Sequence, residues 1–178
     1  MTEKDKQIYE QKIIKINSYS IDKLKNKIIP QSEIDYKYNK GNPNRVKPYH
    51  EYLENEDIPQ ERLINGPEIF KIDPKYTSGK AYAVSNYGRV KLRETFDSDW
   101  VMLKQHDCPQ KGKGWLLVEN TKSIYVYILV AETWLEKPTG EALGLHHITN
   151  DGYDNRPENL IYLNSEVHNK LPKNKGNQ

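Results

Sequence analysis

Three of the chain's five histidines lie near its C-terminal end, between Leu143 and Leu171. His146 and His147 are adjacent, and His168 follows a loop dense in turn-forming residues. Neutral imidazoles bind transition metals and can also act as general bases near neutral pH. The cluster is therefore either a chance grouping of surface and core residues or an open metal site with a catalytic base beside it.

The number of histidines bears on the kind of metal site they could form. Two imidazole ligands alone leave coordination positions open for water and substrate, whereas a structural zinc ion takes four protein ligands. Adjacent residues of an ideal strand point to opposite faces. His146 and His147 can therefore serve one site only if the chain leaves the regular pleat there, and the loop beginning at Thr149 allows this.

The elements predicted around the histidines are strand, polar loop, strand and short helix. ALGLHHI is strand-like, TNDGYDNRPEN is dense in turn formers and LIYL is the returning strand. Asn164 or Ser165 can cap a helix over SEVHNKL. Leu163, Val167 and Leu171 recur every four residues, so this helix can pack on the hairpin and bring His168 toward the histidine strand.

The string HHITNDGYDNRPENLIYL, with a later histidine, resembles the HNH endonuclease family, whose fold is the ββα-metal (His-Me finger) fold. Members place an asparagine twelve residues after the catalytic histidine and a last metal ligand twenty-one after it; counted from His147, these positions are Asn159 and His168. The resemblance implies that His146 and His168 hold one divalent ion (Mg, Mn, Zn or Ni). It also implies that His147 is the general base and that Asn159 braces the loop and orients that base. Arg156 is a candidate phosphate contact, with a salt bridge inside the loop as the alternative.

The resemblance extends upstream and covers about Glu68 to Leu171. VYILVAETWL resembles the helix that precedes the motif in phage and intron-associated members, and AYAVSNYGRVK resembles the nuclease-associated modular DNA-binding motif. Three positions depart from the pattern. Thr149 stands where many relatives have aspartate, Asp154 where many have asparagine, and Tyr127 where relatives often carry histidine. No core site residue is lost, and the subfamily stays open.

The stretch KAYAVSNYGRVKLRE is predicted to be a β-hairpin, with Gly88 supplying a positive φ in the SNYG turn. Alternation in its second strand puts Val90 and Leu92 on one face. The other face then carries a row of three cations: Arg89, Lys91 and Arg93. This row is either a solvated face or a ribbon that contacts DNA phosphates.

The predicted fold class is α+β, with a small β-rich DNA-binding module before a C-terminal ββα-metal nuclease module. We divide the 178 residues into a charged, partly helical extension of unknown role (1–66), the DNA-binding motif (67–123) and the nuclease module (124–178). In the extension, one helix is predicted from Thr2 and a second at IDKLKNKII, ended by Pro30. The net charge of +2 neither demands nor excludes nucleic acid as a partner.

Composition excludes several other classes. Cys108 is the only cysteine, so neither an internal disulfide nor a four-cysteine zinc site can form. The longest apolar run, Ile124 to Leu135, contains Glu132 and is shorter than the roughly 20 residues that span a bilayer. The first residues lack the apolar segment of a signal peptide. We expect a cytoplasmic protein of bacterial or phage origin, with no membrane partner.

The expected function is a metal-dependent HNH endonuclease that hydrolyses DNA and leaves a 5′-phosphate and a 3′-hydroxyl. We expect it to nick as a monomer, since no long heptad run indicates a dimer interface. Two alternatives remain: a DNA-binding protein with an idle nuclease site, and a zinc-stabilised interaction module. The target sequence and the setting, whether homing, packaging or defence, stay open.

Overall fold

In a computed structural model of the chain, the described residues are 20–53, 56–76, 78–107, 115–119, 122–137 and 143–171. The helix predicted from Thr2 lies outside them. Within these ranges the α-helices are α1 (Ile21–Lys27), α2 (Gln31–Tyr38), α3 (Val126–Trp134) and α4 (Ser165–Lys170). The strands are β1 (Phe70–Ile72), β2 (Ala81–Ser85), β3 (Val90–Arg93), β4 (Val101–Met102), β5 (His106–Asp107), β6 (Trp115–Glu119), β7 (Lys122–Tyr125), β8 (Leu143–His147) and β9 (Leu160–Asn164). Single 3-10 turns occur at Tyr49–Glu51, Gln60–Arg62 and Pro157–Asn159.

All strand pairs described are antiparallel, and the mixed content confirms the predicted α+β class. Strands β1 to β4 form a four-stranded sheet in chain order, β5 to β7 form a three-stranded sheet, and β8 pairs with β9. The predicted hairpin is β2–β3, and Gly88 in its turn has a φ of +84°. No helix in the described ranges is long and apolar enough to cross a membrane.

The main hydrophobic core joins the upstream sheet to the C-terminal elements. Tyr82 and Val84 of β2 pack with Leu129 of α3 and Leu160 of β9, and all four are almost fully buried. The indole nitrogen of Trp134 also donates a 3.0 Å hydrogen bond to the backbone oxygen of Val84. The described residues of segments 67–123 and 124–178 therefore share this core.

A second, smaller core fastens the N-terminal residues to the β8–β9 hairpin. Leu24 of α1 is fully buried against apolar side chains of the hairpin and of its following helix: Ile148, Ile161, Leu163 and Leu171. Helix α1 matches the predicted helix that stops before Pro30. Helix α2, which begins after Pro30, was not predicted, because its sequence shows little apolar periodicity. In the structure this helix buries only Ile34.

Candidate active site

The three clustered histidines border one cavity at the end of the β8–β9 hairpin. Its volume is about 210 Å³. The residues that line it are Tyr127, Leu145, His146, His147, Asn150 and His168. The described lining thus consists of imidazole, amide, phenol and alkyl groups and includes no carboxylate.

Adjacent histidines can share this cavity because the strand ends at the second of them. His146 pairs with Ile161 and His147 with Leu160, and along a regular strand two such neighbours would point to opposite faces of the hairpin. The chain then turns at once: the Asn150 amide donates to the His147 carbonyl at 3.0 Å, and Asn150 has a φ of +61°. A positive φ is uncommon outside glycine, although asparagine tolerates it, and such residues concentrate at functional sites. The cavity opens where the pleat stops.

His146 and His168, the two candidate metal ligands, lie beside each other. Their ring centres are 5.7 Å apart and the ring planes are nearly perpendicular. Two imidazoles that bind one ion at about 2.1 Å place their ring centres roughly 5 Å apart, which is close to this separation. His168 packs over Gly144 of β8, where a Cβ would lie 3.5 Å from the His168 ring, an ordinary contact distance. Among the described residues, no group of three or more His, Cys, Asp or Glu side chains is placed to hold one metal ion.

His147 is held by a buried amide. Its Nε2 lies 2.7 Å from Oδ1 of Asn155, and its ring packs against Tyr127 at a centre-to-centre distance of 5.2 Å. An amide oxygen only accepts hydrogen bonds, so this contact favours the neutral tautomer with the hydrogen on Nε2 and the lone pair on Nδ1. The arrangement presents a defined basic nitrogen, as a general base requires.

Asn159 closes the loop that follows His147. Its Oδ1 accepts hydrogen bonds from the backbone and the hydroxyl of Thr149, at 3.1 and 2.9 Å, and its Nδ2 donates to the Asp154 carbonyl at 2.9 Å. The Ile148 amide donates to the Asn159 carbonyl at 2.7 Å. The threonine that departs from the family pattern thus supplies a donor to this network.

Arg156 forms the salt bridge that was the alternative to a phosphate contact. Its Nε and Nη2 donate to the two carboxylate oxygens of Asp154 at 2.8 and 2.7 Å. Burial tends to lower the pKa of this guanidinium, but its pairing with Asp154 outweighs that effect and raises the pKa. Asp154, one of the positions that depart from the HNH pattern, therefore has a partner inside the loop.

The expected exposed row of three cations on the upstream hairpin is wrong for Arg89. This side chain is only 4% exposed and forms an ion pair with Glu68. Its Nη1 also donates to the carbonyl oxygens of Tyr52 and Glu56, at 3.0 and 2.9 Å. The N-terminal residues cover the face that the strand pattern left to solvent, so Arg89 is part of the packed interior and is not available as an exposed phosphate contact.

Arg93 is also buried, at 5% exposure, so the prediction of an exposed cation is wrong at this position too. Its guanidinium lies over the rings of Phe96 and Trp100, at 5.1 and 4.7 Å, and its Nε donates to the Gly79 carbonyl. Lys91 is half-buried, with Nζ 4.1 Å from the centre of the Phe70 ring. Only Lys91 keeps substantial exposure, because the following loop and β1 cover the rest of this face.

Asn155 and Asn150 lie at the candidate site, and nothing in the sequence pattern had indicated either residue. An asparagine within a turn-rich loop is ordinary turn chemistry, so residue type gave no signal for Asn155, although it stands in the NRPENL string. Comparisons of the chain with family models, curated proteins and solved structures give no significant match. Function must therefore be inferred from the chemistry of the cavity.

Proposed function

We propose that the chain is a metal-dependent HNH endonuclease that hydrolyses DNA phosphodiester bonds. The observation that carries the proposal is the meeting of His146, His147 and His168 at one polar cavity, with the middle histidine held separately by an amide. A hairpin followed by a short helix positions all three. The resemblance of the same segment to HNH endonucleases supports DNA as the substrate.

The histidine pair and the cavity wall fit an ion and an anion together. His146 and His168 would hold the divalent ion, which would supply positive charge to offset the charge that builds on the phosphoryl group. The described lining contains no carboxylate, so a phosphodiester can approach without repulsion from the wall. The two-histidine pair leaves room for both substrate and water.

His147 would act as the general base. Its Nδ1 takes a proton from a water molecule, and the oxygen of that water attacks the phosphorus in line with the departing 3′ oxygen. The bond between phosphorus and the 3′ oxygen breaks, and that oxygen gains a proton from solvent. The products carry a 5′-phosphate and a 3′-hydroxyl. Asn159 contributes by keeping the loop after His147 in one conformation.

A plasmid-nicking assay with and without EDTA tests the proposal against both alternatives. Supercoiled DNA should be nicked with added divalent metal and remain intact with EDTA, and His168→Ala should greatly reduce the metal-dependent activity. DNA binding without cleavage under every metal condition would identify the idle-site alternative. Loss of folding on EDTA treatment, with no cleavage, would identify the zinc-stabilised module.

A further inference from the structure

We propose that Asn155 is a positioning residue that sets the tautomer of His147, and that Gly88 of the upstream hairpin provides the space that seats it. The inference rests on the proposed function for its kinetic consequence. The position of the hydrogen on the His147 ring does not depend on that function. It also gives the β2–β3 turn a role in the site, beyond any contact with DNA.

The hydrogen bond has the features of a positioning contact. Asn155 is 4% exposed and His147 is 7% exposed, so water does not compete at this contact. Oδ1 of Asn155 lies 2.7 Å from Nε2 of His147, eight residues away in the chain. A buried acceptor left without its donor costs free energy, so the ring is held with its hydrogen on Nε2. Nδ1 then keeps the lone pair that a base needs.

Gly88 determines where Asn155 can lie. A Cβ built at Gly88 would come within 3.2 Å of the Asn155 Cβ and 3.5 Å of the Asn155 carbonyl carbon and oxygen. The Gly88 carbonyl is itself fixed by the Gln105 side chain, which donates to it at 2.8 Å. The 3.2 Å contact is tighter than an ordinary van der Waals distance, so a side chain at position 88 would push Asn155 away by a few tenths of an ångström if the anchored turn did not move.

The first experiment measures the tautomer directly. Full-length protein labelled with nitrogen-15 is studied without metal at pH about 8.5, roughly two units above the ordinary pKa of histidine. Imidazole nitrogen shifts, assigned by comparison with His147→Ala, should show the hydrogen on Nε2 of His147. Asn155→Asp keeps an acceptor of the same shape and should preserve this state. Asn155→Leu has similar size without an acceptor and should give a mixture of both tautomers. Hydrogen on Nδ1 in the unaltered protein would overturn the proposal.

The second experiment measures nicking by the same variants. Asn155→Leu should lower kcat by about 10- to 100-fold with KM little changed, since general-base catalysis is worth roughly 10² to 10⁴ in rate. Asn155→Asp should restore most of kcat. Asn26→Ala, at an exposed position of α1, is the matched control and should behave as the unaltered chain. Equal loss in the Asp and Leu variants would overturn the role, because shape alone would then matter.

The seating of Asn155 is tested with a pair of glycines. Gly88→Ala and Gly66→Ala both place alanine at a positive φ, +84° and +93°, but a Cβ at Gly66 meets nothing within 4 Å. Both should lower the melting temperature, and only Gly88→Ala should change the His147 ring shifts. Unchanged shifts in folded Gly88→Ala would overturn the seating role. If the unaltered chain cleaves no DNA with any metal, the proposed function fails, and the ring shifts still decide the role of Asn155.

Discussion

At the residue scale, the loop after β8 collects buried polar side chains. Asn150, Asp151, Asn155 and Asn159 are all almost fully buried, and each lies within twelve residues of His147. Burying such groups costs free energy unless each one is hydrogen-bonded. Amides and a carboxylate in these places therefore fix the geometry of the loop, and an apolar loop of the same size could not do so.

The base assignment predicts a specific loss of activity. His147→Ala should reduce nicking by about 10² to 10⁴, while metal and DNA binding survive because His146 and His168 are retained. Nicking rates and DNA affinity are measured on the same preparation. His106→Ala, at an exposed position of β5, is the control. Near-normal nicking by His147→Ala at neutral pH would contradict the assignment.

The buried carboxyl group of Asp73 should make the stability of the fold depend on pH. Asp73 is fully buried, and this burial, together with the neighbouring Glu132, raises the pKa of Asp73 to about 7. The pKa of Tyr162 is raised as well, by its own burial and by the charges of Glu132 and Asp73. Lys75 Nζ lies 3.6 Å from Glu132 and compensates part of the charge. Because unfolded aspartate has a pKa near 4, ionised Asp73 destabilises the fold above pH about 7, and this cost disappears as the pH falls toward 4.

Asp73→Asn should therefore raise the melting temperature at pH 8, with a gain that shrinks by pH 5. The asparagine oxygen can still accept the 3.0 Å hydrogen bond from the Lys75 amide. Each kcal/mol corresponds to roughly 2–4 °C in a protein of this size. Asp97→Asn, at an exposed position, is the control. A gain that is equal at both pH values would contradict the raised pKa.

At the element scale, the N-terminal helices contact the loop that follows β8 from outside. The Tyr38 hydroxyl donates to Oδ2 of Asp151 at 2.6 Å, and its ring stacks on Tyr153 at 4.5 Å. The Ile29 amide donates to the Thr149 carbonyl at 2.9 Å. Burial and the neighbouring Asp151 raise the pKa of Tyr38, so its hydroxyl stays protonated and able to donate. The segment 20–38 thus acts as a brace.

Removing one oxygen should loosen this brace. Tyr38→Phe leaves buried Asp151 with Lys37 at 3.5 Å but without its hydroxyl donor, and should cost about 1.5–3 kcal/mol. Hydrogen exchange should speed up at the amides of residues 149–154. Tyr36→Phe, at a side chain 66% exposed, is the matched control. If both variants behave alike, the contact does not stabilise the loop.

At the scale of the whole molecule, the shared core predicts coupled unfolding. Leu160 of β9 is fully buried among residues of β2, β3 and α3. Leu160→Ala should cost about 2–5 kcal/mol and lower exchange protection in β2–β3 as well as β8–β9. Leu53→Ala, at a 42% exposed side chain, is the control. Loss of protection confined to β8–β9 would show that the segments unfold separately.

The single histidine cluster predicts stepwise cleavage of duplex DNA. The other two histidines stand apart: His50 is buried in the N-terminal segment and His106 is exposed on β5. One base serves one in-line attack, so two strands need two events or two copies of the chain. Supercoiled plasmid should pass through an open-circular form before linear product appears. Linear DNA formed at once, at low enzyme concentration, would contradict a monomeric nickase.

The sequence predicted those features that depend on residues a few positions apart. Alternation and the SNYG turn predicted β2–β3, and Asn164 does cap α4 by accepting from the Val167 amide at 2.9 Å. Leu163 and Leu171 are buried as their spacing indicated. Strand pleat, turn conformation and helix capping are local, so one sequence is enough to read them.

Only the tertiary structure decided which polar side chains became partners. Alternation placed Arg89 in solvent, but Glu68, 21 residues earlier, and two carbonyls farther back enclose it. The Tyr38–Asp151 contact joins residues 113 positions apart, and local pattern contains no information on such a pair. The three histidines were visible in the sequence because of their types and spacing. The amide that holds the middle one, and the glycine that makes room for that amide, depend on two separate elements packing together, and packing is a property of the whole core.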